Sequence, residues 1–156
     1  MSSKVIGADN WIDMIEGLGR DAEGVASRVV YEGAATIADG VREAIKGLPA
    51  QSGDGRHRRG VTDDERAGLL EGLGVASHQK SNGSVNTKIG FSGYNAYVTK
   101  KYPKGHPNSM VARSLESGTS WLQKTPFIAP TVRRLRASTV EAMQAELDNY
   151  IRQKEK

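Results

Sequence analysis

His57, His78 and His106 are the side chains of this 156-residue chain best suited both to bind a metal and to carry protons near neutral pH. Their spacing supports neither role, because no two stand four residues apart on a helix and no carboxylate pattern of the zincin type adjoins them. Cysteine is absent, which removes disulfides, thiolate metal sites, zinc fingers and a thiol nucleophile, and fits synthesis in a reducing cytosol. Serine, histidine and aspartate all occur, but no G-x-S-x-G elbow exposes a nucleophile. The glycine-rich Pro49–Gly60, PAQSGDGRHRRG, lacks the Gly-Lys-Ser/Thr of a phosphate-binding loop. Glu116 has no acid or base partner in the sequence. The residues therefore predict a protein that is not an enzyme and that needs no metal or cofactor.

Charge offers a second kind of chemistry. Three basic clusters, Arg56, Arg58 and Arg59, then Lys100, Lys101 and Lys104, then Arg133, Arg134 and Arg136, have the side chains that contact phosphates. The net charge of +4, from 22 basic and 18 acidic side chains, is too small a bias to argue nucleic-acid binding alone. Solvated loops and a charged helix face account for the clusters better than DNA does, the basic loop with Arg56, Arg58 and Arg59 suits a partner ring as well as DNA, and Arg133 and Arg136, beside an apolar stripe, suit acidic residues of a neighbouring subunit. Trp11, Trp121, Tyr94 and Phe127 are the aromatic candidates for interface anchors, Trp121 foremost, although covering the domain's own core would explain Trp121 as well.

These residues need a scaffold. The length suits a single domain over 1–156. A hydrophobic fraction of 37%, 18 glycines and a mean hydropathy of -0.52 suit a subunit that buries surface by association. Asp9 and Asn10 ahead of Trp11, Ile12, Met14, Ile15 and Leu18 predict a short first helix. Val25, Val29, Val30, Ala34, Ile37, Val41, Ala44, Ile45 and Leu48 recur at three- and four-residue steps and predict a long helix ending near Gly47 and Pro49. Its interior Gly24, Gly33 and Gly40 each cost about 1 kcal/mol relative to alanine, a cost that close helix approach would explain.

Residues 49–61 carry glycines and cations with nothing to bury and predict a mobile basic loop. Thr62 and Glu65 form a capping-box pattern ahead of Ala67, Leu69, Leu70 and Leu73, predicting a short helix over 62–73. Asn82-Gly83 between Val75–Lys80 and Val85–Phe91 predicts a β-hairpin. Tyr94, Tyr97 and Val98 suit a further strand, and Asn108 or Ser109 suits the cap of a helix from Met110 to Leu115. From Pro126, the stripe Ile128, Val132, Leu135, Val140, Met143, Leu147 and Ile151 predicts a C-terminal helix that frays at 153–156. The result is an α+β fold, with the long N-terminal and C-terminal helices packed on a small antiparallel sheet. No stretch approaches the run of about 18 apolar residues that a membrane span requires, and the N-terminus has no secretion signal, so a soluble, unprocessed protein is expected.

The segment Val111–Val132, VARSLESGTSWLQKTPFIAPTV, resembles the signature of the tail-component family of lambdoid and related long-tailed bacteriophages. The matching residues are Ala112, Glu116, Gly118, Thr119, Pro126, Phe127, Ile128 and Pro130. A second family feature, a proline followed by Thr-Gly after the long helix, is matched by Pro49, Ser52 and Gly53, with Arg56 at a usually basic position. The chain departs from the pattern at Ser117 and Gly55, and Val61–Leu73 reads as an insertion.

The resemblance implies a structural protein of the virion, a neck or tail-completion protein joining head to tail and assembled in the host cytoplasm. It implies a homo-oligomeric ring, for which six copies would fit tail symmetry. The implied neighbours are the head-closure or connector protein on one side and the tail terminator or tail-tube protein on the other, with DNA only passing through the channel. A tail terminator is the nearest alternative. A sequence-independent DNA-binding module is the competing class, with Arg56, Arg58 and Arg59 as its contacts and an affinity that collapses with salt. Read from the residues, Gly118 allows a tight turn, Thr119 caps or bridges it, Glu116 accepts backbone N–H groups, and Pro126 and Phe127 start and anchor the last helix.

Overall fold

A computed structural model of the chain describes residues 19–53, 57–81 and 84–155. The predicted first helix, with Trp11, lies outside the described residues, as does Arg56. The fold is α+β. Helix α1 spans Ala22–Lys46, α2 Asp63–Gly72, α3 Asn108–Ser117 and α4 Ile128–Glu155. Between α2 and α3 lie four three-residue strands, β1 Leu73–Val75, β2 Gln79–Ser81, β3 Ser84–Asn86 and β4 Ile89–Phe91.

The long helices α1 and α4 pack antiparallel, and two of the costly glycines explain how. A Cβ at Gly33 would come within 2.8 Å of the Met143 sulfur, and one at Gly40 would run into the Leu135 side chain and stand 3.0 Å from Thr131 Cγ2. Gly24 meets nothing within 4 Å among the described residues. Close approach thus accounts for Gly33 and Gly40 and leaves Gly24 without that purpose. Gly40→Leu should therefore destabilise the fold by about 1–3 kcal/mol despite leucine's better helix propensity, whereas Gly24→Ala should stabilise it by about 0.5–1 kcal/mol. Chemical denaturation of the two variants checks both signs. At the far end of the pair the Tyr150 hydroxyl donates to Asp21 at 2.9 Å, and Lys154 reaches the same carboxylate oxygen at 3.3 Å.

The core sits at the other end. Val41, Ile45 and Leu48 meet Val61, Leu69 and Leu73 on one side and Val111, Leu115, Leu122 and Phe127 on the other. Val25, Ala34, Ala38 and Tyr150 are buried between the long helices but lie outside that cluster. Arg66 ties the two parts of the chain by donating to the carbonyls of Ile45, Lys46 and Leu48 at 2.5–3.1 Å, which satisfies acceptors left free at the end of α1 with a cation suited to that negative end.

The hairpin forms as two ladders. β1 pairs with β4 with Leu73 opposite Phe91, and β2 pairs with β3 with Ser81 opposite Ser84; both are antiparallel. Between them Ala76, Ser77 and His78 face only Thr87 and Lys88, so the register advances by one residue in a bulge, held by the Ala76 N–H donating to Lys88 O at 2.8 Å. Asn82 and Gly83 themselves lie outside the described residues. The outer ladder runs beside α1, where Lys80 pairs with Glu23 at 3.1 Å.

Several expectations need correction. The loop over 49–61 is a paired structure in its described part: Ser52 and Arg59 exchange backbone hydrogen bonds of 2.9 Å, Gln51 N–H donates to Val61 O, and Val61 is buried. The pattern of glycines and cations hid the one apolar residue that anchors it. No strand forms over Tyr94–Val98, where the only pairing is an isolated bridge of Tyr94 to Pro107, and all three expected strand residues are exposed. Asn108 does not cap α3; it is the helix's first residue and its amide donates to Ser92 O at 2.9 Å. Helix α4 begins at Ile128, two residues after Pro126, and continues through the expected frayed end to Glu155.

Candidate functional site

The segment carrying the family resemblance forms a clasp between α3 and α4. Glu116, in the last turn of α3, directs its carboxylate at the start of α4, accepting the N–H groups of Phe127 and Ile128 at 2.9 Å and of Ala129 at 2.8 Å. These are donors that no turn of the helix can satisfy, so a carboxylate from another element does the work of a cap. Burial alone would push the Glu116 pKa up. The three N–H donors and the charge of Lys124 outweigh it and hold the carboxyl below its ordinary value.

Gly118 follows with φ +76°, a left-handed conformation open to glycine, and a Cβ there would press within 3.2 Å of the Lys124 backbone. Thr119 Oγ1 then accepts from Leu122 N at 3.0 Å, while Thr119 N donates to Leu122 O at 2.9 Å, closing the turn. Phe127 is 3% exposed and meets Phe91 edge-on, with ring centroids 6.1 Å apart. It is a core residue and not an interface anchor. Pro130 falls in the first turn of α4, where its missing N–H costs nothing.

Of the three basic-loop arginines considered as contacts to DNA or a partner, Arg58 is committed within the chain. Its side chain is 15% exposed and one of its terminal nitrogens donates to both oxygens of Glu65, at 2.8 and 2.7 Å. The Trp121 ring covers the guanidinium, 5.4 Å away, and the Arg58 backbone is joined to Trp121 O and Gln123 N. Glu65 meanwhile completes the capping box of α2 by accepting the Thr62 N–H at 3.0 Å. Arg59, Arg133 and Arg136 are exposed.

Above the Arg58–Glu65 pair opens a cavity of about 580 Å³. Its walls are aromatic. Tyr97 stacks on His106 with centroids 5.0 Å apart, Tyr102 tilts against the same His106 ring at 4.6 Å, and Lys101 lies 5.5 Å over Tyr102. Trp121 completes the rim and is 44% exposed, so it both covers the buried arginine and offers a free face. Among the described residues no group of three or more His, Asp and Glu side chains is placed to hold a metal ion, and no helix is long and apolar enough to cross a membrane.

Sequence reasoning found Trp121 and Glu116 but missed the cavity. Tyr97, Lys101, Tyr102 and His106 come from a proline-containing loop without periodicity, and their meeting depends on Asn95, whose side-chain oxygen accepts from both Tyr97 N and His106 N at 3.0 Å. A capping box at Thr62 was the one local signal, because it fixed where Glu65 must point. Compared with family models, curated proteins and solved structures, the chain matches none of them.

Proposed function

We propose that this chain is a structural subunit of the neck of a long-tailed phage, a ring-forming joint between the head connector and the tail tube that acts through interfaces rather than chemistry. The observation that carries the reading is the resemblance of Val111–Val132, whose matching residues are the ones that join α3 to α4 through Glu116, Gly118, Thr119 and Phe127. Large apolar side chains left on the surface, Tyr94, Tyr97, Val98, Trp121, Tyr31 and Val140, are consistent with a subunit whose burial is completed by its neighbours. The DNA-binding alternative loses one of its three contacts in Arg58, which is committed to Glu65.

Light-scattering mass across a concentration series, with and without the tail-tube protein of the same phage, tests the proposal. A discrete ring, free or induced by the tube, is the expected result. A chain that stays monomeric, ignores the tube and binds DNA with steep salt dependence overturns it in favour of the DNA-binding module.

A further inference from the structure

The cavity between α2, α3 and the Trp121 loop has the makings of a binding site rather than a packing defect. Exposed aromatic rings are costly on a surface unless something covers them, and here Tyr97 and Trp121, at 55% and 44% exposure, both line one opening. The polar lining is one-sided. Glu65 is the only carboxylate among the described lining residues, and both its oxygens are engaged by Arg58, so it offers nothing to a ligand's cation. Lys101 is exposed and among the described residues reaches only toward the Tyr102 ring, which leaves its charge for an incoming anion. The site is therefore built for an occupant that pairs a bulky apolar or aromatic side chain with carboxylates.

The chain itself contains one such segment. Trp11 stands between Asp9 and Asp13, with Ile12, Met14, Ile15 and Glu16 beside it, in residues 1–18 that precede the described part. Its reach decides which copy it can serve. The eight residues from Gly19 back to Trp11 span at most about 29 Å fully extended. Helix α1, whose 25 residues make 24 steps of about 1.5 Å, sets Ala22 about 36 Å from Lys46, and the cavity lies at the Lys46 end, sharing Val111 and Leu122 with the core around Ile45. Trp11 thus falls short of the cavity of its own chain.

We infer that the cavity bounded by Tyr97, Lys101 and Trp121 receives the acidic, tryptophan-bearing N-terminal segment of a second copy of this chain. Trp11 enters between the Tyr97 and Trp121 rings, and Asp9 or Asp13 meets Lys101. Donor and acceptor are different surfaces, so each copy can give to one neighbour and take from another, which is the head-to-tail contact that closes into rings. Closure into a ring rests on the function proposed above, whereas the contact between two copies does not.

The test is fluorescence anisotropy with a labelled peptide of residues 1–18, titrated into the full chain carrying Trp11→Ala so that no copy can supply the native segment. Saturable binding is expected, weakened about tenfold or more when Tyr97→Ala or Lys101→Glu is added, both exposed positions whose loss leaves the core intact. In light scattering, Trp11→Ala should lower the mass of the full chain, and a mixture of Trp11→Ala with Lys101→Glu should stop at pairs. A peptide that does not bind, or that binds the cavity variants equally well, overturns the inference even where the wild-type chain still forms rings. If the peptide binds at the cavity and no larger assembly forms with or without the tube, the ring reading fails and the contact stands.

Discussion

Glu65→Ala is expected to cost about 3–5 kcal/mol of stability, because it strands the Arg58 charge beneath Trp121 with no counter-ion. The guanidinium is poorly served even in the native state: one terminal nitrogen supplies both bonds to Glu65, while its buried Nε has no partner among the described residues. Little margin remains once the carboxylate goes. The double variant Arg58→Met with Glu65→Met removes both charges and should recover most of the loss, leaving about 1 kcal/mol for the broken capping box at Thr62. Denaturant midpoints for the single and double variants decide the matter. Equal losses in the two would mean that the pair matters for its shape and not for its charge.

Glu116→Ala comes next, with an expected loss of about 2–4 kcal/mol, since three backbone N–H groups at the start of α4 lose their acceptor together. Glu116→Gln, which keeps an acceptor oxygen but not the charge, should lose about half as much. The same contact predicts a pH dependence. The folded carboxyl titrates below its ordinary value of 4.5, so the unfolded chain holds the proton more tightly. The stabilisation is complete above about pH 4.5 and disappears as the pH falls through the folded pKa. Stability measured from pH 6 down to about pH 3 should fall less steeply in Glu116→Gln than in the wild type. Parallel curves for the two proteins would assign the acid loss to other carboxylates.

How much could be read in advance depended on whether a residue's role was local. The period of Val25 to Leu48, the Thr62–Glu65 box and the Asn82-Gly83 pair each carry their meaning within a few neighbours, and α1, α2 and the paired strands on either side of Asn82-Gly83 follow them. Glu116 was legible because its partners lie only eleven to thirteen residues away, in a segment where proline and a helical stripe announce a helix start. Arg58 was not. Three cations among glycines look solvated, and only the fold brings Glu65 and Trp121 around one of them. Tyr94–Val98 failed for the converse reason: β-prone residues form a strand only where a neighbouring edge is free to pair with them, and Tyr94 meets Pro107 alone. Trp121 kept both of its readings, since one face of the ring covers Arg58 while the other remains open.

The odd residue in the hairpin decides what the outer ladder shows to α1. Along the returning strand Val85, Thr87, Ile89 and Phe91 keep one parity and are all half-buried. On the outgoing strand the parity switches at Ala76–His78, from Leu73 and Val75 to Lys80, which is why Lys80 stands opposite Val85 and reaches Glu23. Among the described residues neither ladder of this ribbon pairs with a third strand, and a ribbon with an unbroken apolar inner face would invite one. Placing an exposed lysine on the face of the outer ladder that meets α1 makes that ladder a poor template for strand addition, so a chain that associates with its own kind is steered to do so through side chains and not through its backbone.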